Sequence, residues 1–359
     1  MSEFELLSLE TRMANHEDAH LPAHDHTKLS AINTCPTWGI LRYSHHKRMP
    51  GNARAMALEA GSASHEAFAA VRWYQLKTYQ TEGKVQQAIA EKHGIRLFGE
   101  ERFDRMHSTL SKTATDRTNA INFTIEALES CDFYDDIVDK KRTISNISES
   151  LIAYIDAYDM TRYPIWVRDN KDPNSDVGIE IAFDVVVTIH YKMNNEVREL
   201  ICRFIGKLDG LHWNRDNLII IEEKTGAVLS DSWLAQWILS HQITGYCLAS
   251  QTFTGLLCQQ ALVSGMRIPI GKIPSEGIRR EQVPRSHMHM VKWANWFITT
   301  VEEEAKWFDN ILNAPMYTHS CNRYFRTCSF LPFCASDTEV EKLAIIEEME
   351  LDEWSPLHD

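Results

Sequence analysis

Residues 204–224 of this 359-residue chain read FIGKLDGLHWNRDNLIIIEEK, two apolar runs separated by a polar segment. Asp209 ends the first run and Glu222 follows the second, and the midpoint between them falls inside the polar segment. Folded as a hairpin about that midpoint, the two strands place Asp209 nearly opposite Glu222. Because side chains alternate along a strand, Lys224 shares a face with Glu222. The stretch therefore predicts two acids and a lysine at one edge of a sheet, a suitable site for a hard divalent cation.

The periodicity of the chain changes from helical to strand-like near residue 178. Residues 28–177 predict a mostly helical region packed on a core, and residues 178–336 hold the predicted strands and a cysteine-rich segment. We therefore expect an α/β protein of the mixed α+β type, with a central mixed β-sheet flanked by helices and a helical N-terminal region. Residues 1–27 predict a polar N-terminal arm. Residues 337–359 form an acidic tail that is either solvated or binds a protein partner.

Composition limits the class of function. The net charge of −13 argues against a broad nucleic-acid-coating surface but leaves room for a local basic groove. The N-terminus has no charged-then-apolar leader, and no apolar run approaches the length of a membrane span. These features predict a cytoplasmic protein without a membrane anchor. In that compartment cysteines are buried thiols or metal ligands more often than disulfides.

The acids of the hairpin have two interpretations. They could be solvated side chains on a surface hairpin. They also close apolar strands that should be buried, and burial of unpaired carboxylates is costly without a counter-ion. Mg²⁺ or Mn²⁺ would satisfy them, polarise a phosphodiester and help to generate hydroxide from water. Lys224 could orient or deprotonate that water, or stabilise the developing charge on phosphorus.

Further motifs flank the hairpin in a familiar order. GKLD at 206–209, EEKT at 222–225 and QITGY at 242–246 resemble the RecB-like branch of the PD-(D/E)XK nuclease superfamily, which includes CRISPR-associated RecB-like exonucleases. The branch also carries Gly-x-x-x-His on an upstream helix, and this chain has it from Gly61 to His65. The resemblance covers roughly residues 28–78 and 178–334. It implies a restriction-endonuclease-like core and exonuclease action on single-stranded DNA ends.

The resemblance also implies roles for individual residues. A Mg²⁺ or Mn²⁺ ion would be bound by His65, Asp209 and Glu222, with the backbone carbonyl of Glu223 as a further ligand. Glu180, at the start of a predicted strand, matches a frequent acidic position of the branch, although a glutamate there is commonly solvated. Lys224 would act on the attacking water, and two side chains of the next helix would hold the scissile strand or Lys224. The predicted catalytic residues are Asp209, Glu222, Lys224, Gln242 and Tyr246.

Four cysteines form a second constellation. Six and five residues separate the three cysteines of the C-terminal SCNRYFRTCSFLPFC segment, and Cys35 lies far upstream. Four thiolates could bind a 4Fe-4S cluster or zinc, and the short C-x₂-C pair typical of zinc sites is missing. Iron–sulfur members of the resembled branch have one cysteine before the core and three after it, which implies a 4Fe-4S cluster acting as a structural clasp. Its ligands would be Cys35, Cys321, Cys328 and Cys334; the other four cysteines (Cys131, Cys202, Cys247 and Cys258) predict core positions.

The loop at 267–285 carries five basic side chains that either contact DNA phosphates or are ordinary solvated charges. They are Arg267, Lys272, Arg279, Arg280 and Arg285. The helix predicted at 232–250 would carry Trp233 and Trp237 together with the QITGY motif, and we expect both tryptophans in the core. Two other functions stay open: a non-catalytic DNA-end or partner-binding scaffold with the same fold, and a zinc-stapled structural protein.

Overall fold

The computed structural model describes residues 4–50, 56–131, 140–323, 326–353, 355 and 357, with the side chains of 56–58, 323 and 326 not described. The chain divides into two compact units. Unit 1 comprises Met1–Ala53, Ala182–Gly206 and His287–Asp359, and unit 2 comprises Arg54–Ile181 and Lys207–Ser286. Each unit is therefore assembled from segments that are distant in sequence. Among the described residues, no helix has the length and apolar character needed to cross a bilayer.

The strands, in chain order, are β1 (Phe4–Met13), β2 (Ala23–His24), β3 (Lys47–Arg48), β4 (Ile179–Met193), β5 (Glu196–Asn214), β6 (Asn217–Gly226), β7 (Cys258–Arg267), β8 (Ile278–Pro284), β9 (Asn322–Arg323), β10 (Arg326–Thr327) and β11 (Glu350–Leu351). The helices are α1 (His26–Thr34), α2 (Pro36–Gly39), α3 (Met56–Tyr79), α4 (Lys84–Phe98), α5 (Glu100–Ser108), α6 (Asp116–Glu129), α7 (Ile144–Ala157), α8 (Asp231–Ala235), α9 (His241–Thr254), α10 (His287–Phe308), α11 (Leu331–Ala335) and α12 (Glu339–Glu348).

Seven strands of the described chain form one sheet in the order β1-β4-β5-β6-β7-β8, with β2 beside β5. The sheet is mixed, because β6 and β7 are parallel, as are β2 and β5, whereas the pairs β1–β4, β5–β6 and β7–β8 are antiparallel. Helices flank this mostly antiparallel sheet. The predicted mixed α/β class with a central sheet is confirmed.

Unit 2 contains a helical core centred on α3. Small residues allow close packing along this helix, where Ala63, Ala67 and Ala70 are fully buried. The Trp73 ring of α3 stacks on Phe123 of α6, with 4.6 Å between the ring centroids. Offset stacking of this kind adds to the stability that burial of the rings provides. The predicted helical region at 28–177 therefore includes a true helical cluster, although its first residues belong to unit 1.

Unit 1 contains segments from both ends of the chain. The segment predicted as a polar arm contains β1, which pairs with β4 in a register that joins Met13 to Val185. Its side chains alternate between more and less exposed positions, as a strand with one covered face requires. The acidic tail is folded as well: Met349 is buried in a cluster with Leu41 and Phe330. A protein partner for the tail stays a prediction.

A buried ion-pair cluster lies inside unit 1. Glu304 of α10 is 7% exposed, and its Oε1 lies 2.7 Å from Lys28 Nζ and accepts a 2.7 Å hydrogen bond from the Ser44 hydroxyl. His24 Nδ1 lies 3.2 Å from the other carboxylate oxygen. Burial opposes ionisation of Glu304, but His24 and Lys28 outweigh it and lower its pKa to about 2. Glu304 is thus a charged residue that Lys28 and the hydrogen bond from Ser44 stabilise.

We expect Glu304→Gln to lower the free energy of unfolding at pH 7 by about 3 kcal/mol, because it leaves Lys28, whose side chain is 13% exposed, without its counter-ion. In the wild type, Glu304 stays ionised in the folded state below its ordinary pKa of 4.5. Its stabilising contribution is therefore present above pH 4.5 and lost as the pH falls towards 2. Urea unfolding of both proteins between pH 7 and pH 3 measures the difference, which should shrink towards the acid end. Glu302→Gln, half-exposed on the same helix, is the control and should cost at most about 1 kcal/mol.

Candidate metal site and cysteine pocket

The hairpin of β5 and β6 has the predicted register. Gly210 pairs with Ile221 and Asn214 with Asn217, so the next position of the register places Asp209 opposite Glu222. The turn lies at the predicted midpoint, where Arg215 has a φ of 59°. A positive φ at this position suits the twist of a tight two-residue hairpin. The register thus places the two positions opposite one another, as predicted, while the approach of the two carboxylates to a shared cation stays a prediction.

Three ligand-type side chains of unit 2 converge beside the hairpin. One ligand atom from each of His65, Glu180 and Asp209 lies within 4.8 Å of the other two. His65 comes from α3, and its Nδ1 lies 3.3 Å from Asp209 Oδ1. Two of the three, His65 and Asp209, are predicted ligands, whereas a solvated position was the alternative expectation for Glu180. A nitrogen and two carboxylate oxygens in one small volume form a donor set that suits a divalent metal.

Glu180 has a strained backbone. Its φ is 47°, a value in the left-handed region that non-glycine residues rarely adopt. Its side chain contributes to the three-ligand group and also lies 3.5 Å from Lys207 Nζ. Residues in this conformation cost of the order of 1 kcal/mol and concentrate at functional sites. The sequence signal for Glu180 was weak, because nothing local indicates a positive φ at a strand start.

Glu222 was predicted as a metal ligand, but among the described residues it is not part of that three-residue group. Its side chain is 1% exposed; Oε1 lies 2.5 Å from Lys224 Nζ, and Oε2 is buried without a hydrogen-bond partner. Burial raises the pKa of Glu222 to about 7, with Lys224 opposing the rise. A buried oxygen without a donor is unusual and costly in a protein interior. It is available to a cation or a water in the neighbouring site.

Lys224 follows Glu222 on the same face of β6, as the alternation predicted. Its Nζ also lies 5.9 Å from the centroid of the Trp237 ring. Burial lowers the pKa of Lys224, but Glu222 and Asp209 outweigh this effect, and the net shift is upward. Lys224 is therefore an ammonium group that is held against acids. An ammonium group in this place can stabilise negative charge.

The carboxylate of Glu223 is used inside the protein. It pairs with the fully buried Arg72 and accepts a 2.8 Å hydrogen bond from the Tyr154 hydroxyl. The backbone N–H of Glu223 donates to Asp209 Oδ2 over 2.8 Å. Sequence reasoning missed both Arg72 and Tyr154. A signal for Arg72 existed, since it lies two helical turns after His65 on the same face of an alanine-rich helix. The role of the Glu223 carbonyl as a ligand stays a prediction.

Gln242 and Tyr246 lie one turn apart on α9. The Gln242 side-chain amide donates to the Tyr246 hydroxyl over 3.1 Å. Their predicted contacts with Lys224 or a DNA strand stay predictions. The single helix predicted at 232–250 is wrong, because the chain forms α8 and then a turn before α9 begins at His241. The Ser240 hydroxyl accepts from the Ile243 N–H and so caps α9, which separates both tryptophans from the QITGY helix.

The basic side chains of 267–285 have different environments. Arg285 is 4% exposed, and its guanidinium donates to the backbone carbonyls of Trp237, Ile238, Ser240 and Pro284. The prediction that Arg285 contacts DNA is wrong, because its donors hold the turn before α9. Arg280 donates to the Ala157 carbonyl and stacks on Tyr158. Phosphate contacts by Arg267, Lys272, Arg279 and Arg280 stay predictions.

The four cysteines predicted as cluster ligands line one pocket within unit 1. Cys35 separates α1 from α2, Cys334 lies in α11, and the Cys328 N–H donates to the Cys321 carbonyl over 2.7 Å. Apolar side chains, including Trp38 and Phe330, complete the lining. Burial raises the pKa of Cys334 to about 11, and the neighbouring thiols add to the shift. Cys131, Cys202, Cys247 and Cys258 are buried, as predicted.

The pocket brings together side chains of a type that binds soft metals, but among the described residues no three of its sulfur atoms lie within 4.8 Å of one another. Its thiols come from positions far apart in sequence but lie together in one unit, so a bound group would join the N-terminal and C-terminal segments of unit 1. Because only thiolates bind a metal, binding of a metal group here would displace the protons of the thiols. The apolar lining would limit water access to a bound group.

Comparison with known proteins adds little. No protein-family model matches the sequence, and no curated protein matches it. Nine chains of solved structures match. One, titled "Crystal structure of SSO0001", is 13% identical, with a TM-score of 0.27, over 45% of this chain and 60% of that chain. The match thus spans less than two thirds of that protein, and a similarity at this level carries no information about activity.

Proposed function

We propose that this chain is a metal-dependent deoxyribonuclease that hydrolyses phosphodiester bonds, acting in the cytoplasm as an exonuclease on single-stranded DNA ends. One observation carries the proposal. The three-ligand group of His65, Glu180 and Asp209 lies at the hairpin where Glu222 keeps a buried oxygen without a donor and Lys224 supplies an ammonium. The preference for single-stranded ends rests on the resemblance to RecB-like nucleases.

The donor set fits Mg²⁺ or Mn²⁺. His65, Glu180 and Asp209 would hold the ion, and the unpartnered oxygen of Glu222 supports a role for this acid in the same site. A divalent ion there would polarise the phosphodiester and lower the pKa of a bound water. An imidazole among hard oxygen ligands suits Mn²⁺ at least as well as Mg²⁺.

The chain's own groups would orient and stabilise the reacting atoms. Lys224, charged and held by Glu222, would stabilise the negative charge that develops on the phosphoryl oxygens. Gln242 and Tyr246, which are bonded to one another, offer amide and hydroxyl groups for the sugar–phosphate backbone of a bound strand. These roles require no proton transfer by Lys224, in accord with its raised pKa.

The cysteine pocket supports a 4Fe-4S cluster as a structural group of unit 1. One thiolate each from Cys35, Cys321, Cys328 and Cys334 would complete four-cysteine ligation. Zinc is the alternative occupant. The thiols border a pocket with an aromatic and apolar lining, which suits a bulky cluster better than a single ion.

The test of the proposed function is a cleavage assay on end-labelled single- and double-stranded DNA with Mn²⁺. We expect the wild type to degrade the single strand and Lys224→Ala to do so about 10²- to 10³-fold more slowly, because a charge-stabilising group is lost. Lys112→Ala, which removes an exposed lysine of the same unit outside the predicted DNA-contacting set, is the matched control and should stay within about twofold of the wild type.

The outcomes separate the competing functions. Equal degradation by the wild type and Lys224→Ala would reject the proposed mechanism. A wild type that binds DNA ends tightly without cleaving them would instead favour the non-catalytic scaffold. RNA of the same sequence, assayed in parallel, shows whether the 2′-hydroxyl is tolerated.

A further inference from the structure

Arg72 is among the largest fully buried side chains of the described chain. It lies on α3, within the string HEAFAAVRWY that begins at His65. Burial of a guanidinium is costly unless carboxylates compensate its charge and accept its hydrogen bonds. The location of Arg72 therefore depends on the partners that it meets inside unit 2.

Arg72 bridges acids from two strands. Its Nη1 pairs with Glu223 Oε2 of β6, and its Nη2 lies 3.0 Å from Glu180 Oε1 of β4. Between these strands lies β5, where an added Cβ at Gly210 would be 3.2 Å from Arg72 Cδ. The glycine thus leaves room for the arginine side chain to cross β5.

A tyrosine of α7 holds the carboxylate of Glu223 in place. The Tyr154 hydroxyl donates to Glu223 Oε1 over 2.8 Å, so both oxygens of Glu223 have partners. A carboxylate held on both oxygens can hold Arg72 in one orientation. The guanidinium is a rigid planar fork, so fixing one of its arms fixes the other. The orientation of Nη2, the nitrogen that contacts Glu180, is therefore set by the contact of Nη1 with Glu223.

We propose that Arg72 is a positioning residue that holds Glu180 in the metal-binding group, with Glu223 and Tyr154 as its anchor. The proposal rests on the metal site of the proposed function and goes beyond it, because none of these three residues is itself a member of the three-ligand group. Glu180 needs such support for two reasons: its backbone is strained at a φ of 47°, and its carboxylate lies close to that of Asp209.

The inference gives Glu223 a role as the anchor of Arg72. Its carboxylate acts through Arg72, from the side of the sheet opposite to Glu222. The helical segment that carries Tyr154, which matches no motif, is also connected to the site. A chain of contacts leads from Tyr154 through Glu223 and Arg72 to Glu180.

The test is a double-mutant cycle read out by Mn²⁺ affinity, without DNA. Electron paramagnetic resonance of free Mn²⁺ gives the dissociation constant for the wild type, Arg72→Lys, Glu180→Gln and the double variant. We expect Arg72→Lys to weaken binding about 10- to 100-fold, because lysine cannot bridge two carboxylates. In the Glu180→Gln background the same change should weaken it less than about threefold, because Arg72 acts through Glu180.

Control variants separate positioning from general loss of structure. Arg168→Lys alters an ion pair with Asp176 in the same unit, away from the three-ligand group, and should leave the Mn²⁺ affinity unchanged even if it lowers the melting temperature. If Arg72→Lys does not fold, Tyr154→Phe keeps the ring and loses only the hydroxyl; it should weaken Mn²⁺ binding about threefold to tenfold.

Mn²⁺ affinity within twofold of wild type in both Arg72→Lys and Tyr154→Phe would overturn the inference and leave the proposed nuclease function in place. The inference would also be overturned if Arg72→Lys lowered the Mn²⁺ affinity by the same factor in the wild type and in the Glu180→Gln variant. A wild type that binds Mn²⁺ through this network but does not cleave DNA would refute the proposed function and sustain the inference.

Discussion

Asp209→Asn is expected to abolish metal-dependent cleavage, with a loss of about 10³-fold or more in rate and of Mn²⁺ binding at the site. Asp209 is the member of the metal group that lies on the hairpin itself, opposite Glu222 and 3.3 Å from His65. Burial opposes its ionisation, but His65 and Lys224 outweigh this and lower its pKa to about 2. Its carboxylate is therefore charged at every pH at which cleavage would be assayed.

Asparagine at this position keeps the size of the side chain and an oxygen that can accept from the Glu223 N–H. The hairpin should therefore stay folded, so that the loss reports on charge rather than on structure. Asp216→Asn at the exposed hairpin turn is the matched control and should retain wild-type activity. Initial rates on labelled single-stranded DNA, with Mn²⁺ binding measured separately, check the prediction. Undiminished cleavage by Asp209→Asn would eliminate this hairpin as the metal site.

Cys328→Ala is expected to reduce iron content and stability together. A cluster held by four cysteines contributes its binding free energy to folding, because the unfolded chain has no assembled site. Cys35, near the N-terminus, lines the pocket together with three cysteines beyond residue 320. A cluster bound there would close a long loop within unit 1, and loss of the cluster would release that loop. We expect the free energy of unfolding to fall by roughly 3–5 kcal/mol, as for loss of other cross-links.

Iron analysis and thermal unfolding of anaerobically purified protein measure both effects. Cys202→Ala is the matched control: it also removes a buried thiol of unit 1 but should keep full iron content and cost about 1 kcal/mol. A brown protein that bleaches on reduction indicates the cluster, whereas a colourless zinc protein indicates the alternative. Full iron content in Cys328→Ala would contradict ligation by Cys328.

The sequence was most informative where the placement of side chains follows from local periodicity. Strand alternation and a turn centred on Arg215 and Asp216 were enough to predict that Asp209 lies opposite Glu222 and that Lys224 shares the face of Glu222. Side-chain direction along a strand is set by the backbone, so a correct register determines these contacts. The mixed α/β class followed from the change of period near residue 178 for the same reason.

Predictions of secondary structure from local sequence were wrong where a residue distant in sequence contacts the segment. The helix predicted at 232–250 is interrupted because Ser240 caps α9 and because Arg285 takes the carbonyls of the preceding turn. The same contacts remove Arg285 from any DNA-binding surface. Polar residues at 1–27 suggested an arm, yet β1 gains a partner in β4, almost two hundred residues later.

The sequence by itself determined the hairpin, its facing acids and the His65 spacing, since these depend on neighbours within one strand pair or one helix. Only the tertiary structure decided that Glu180 joins His65 and Asp209, that Arg72 pairs with a glutamate 151 residues away, and that four thiols line one pocket. Such contacts arise from the packing of whole elements. No local periodicity encodes which buried charge will meet which partner.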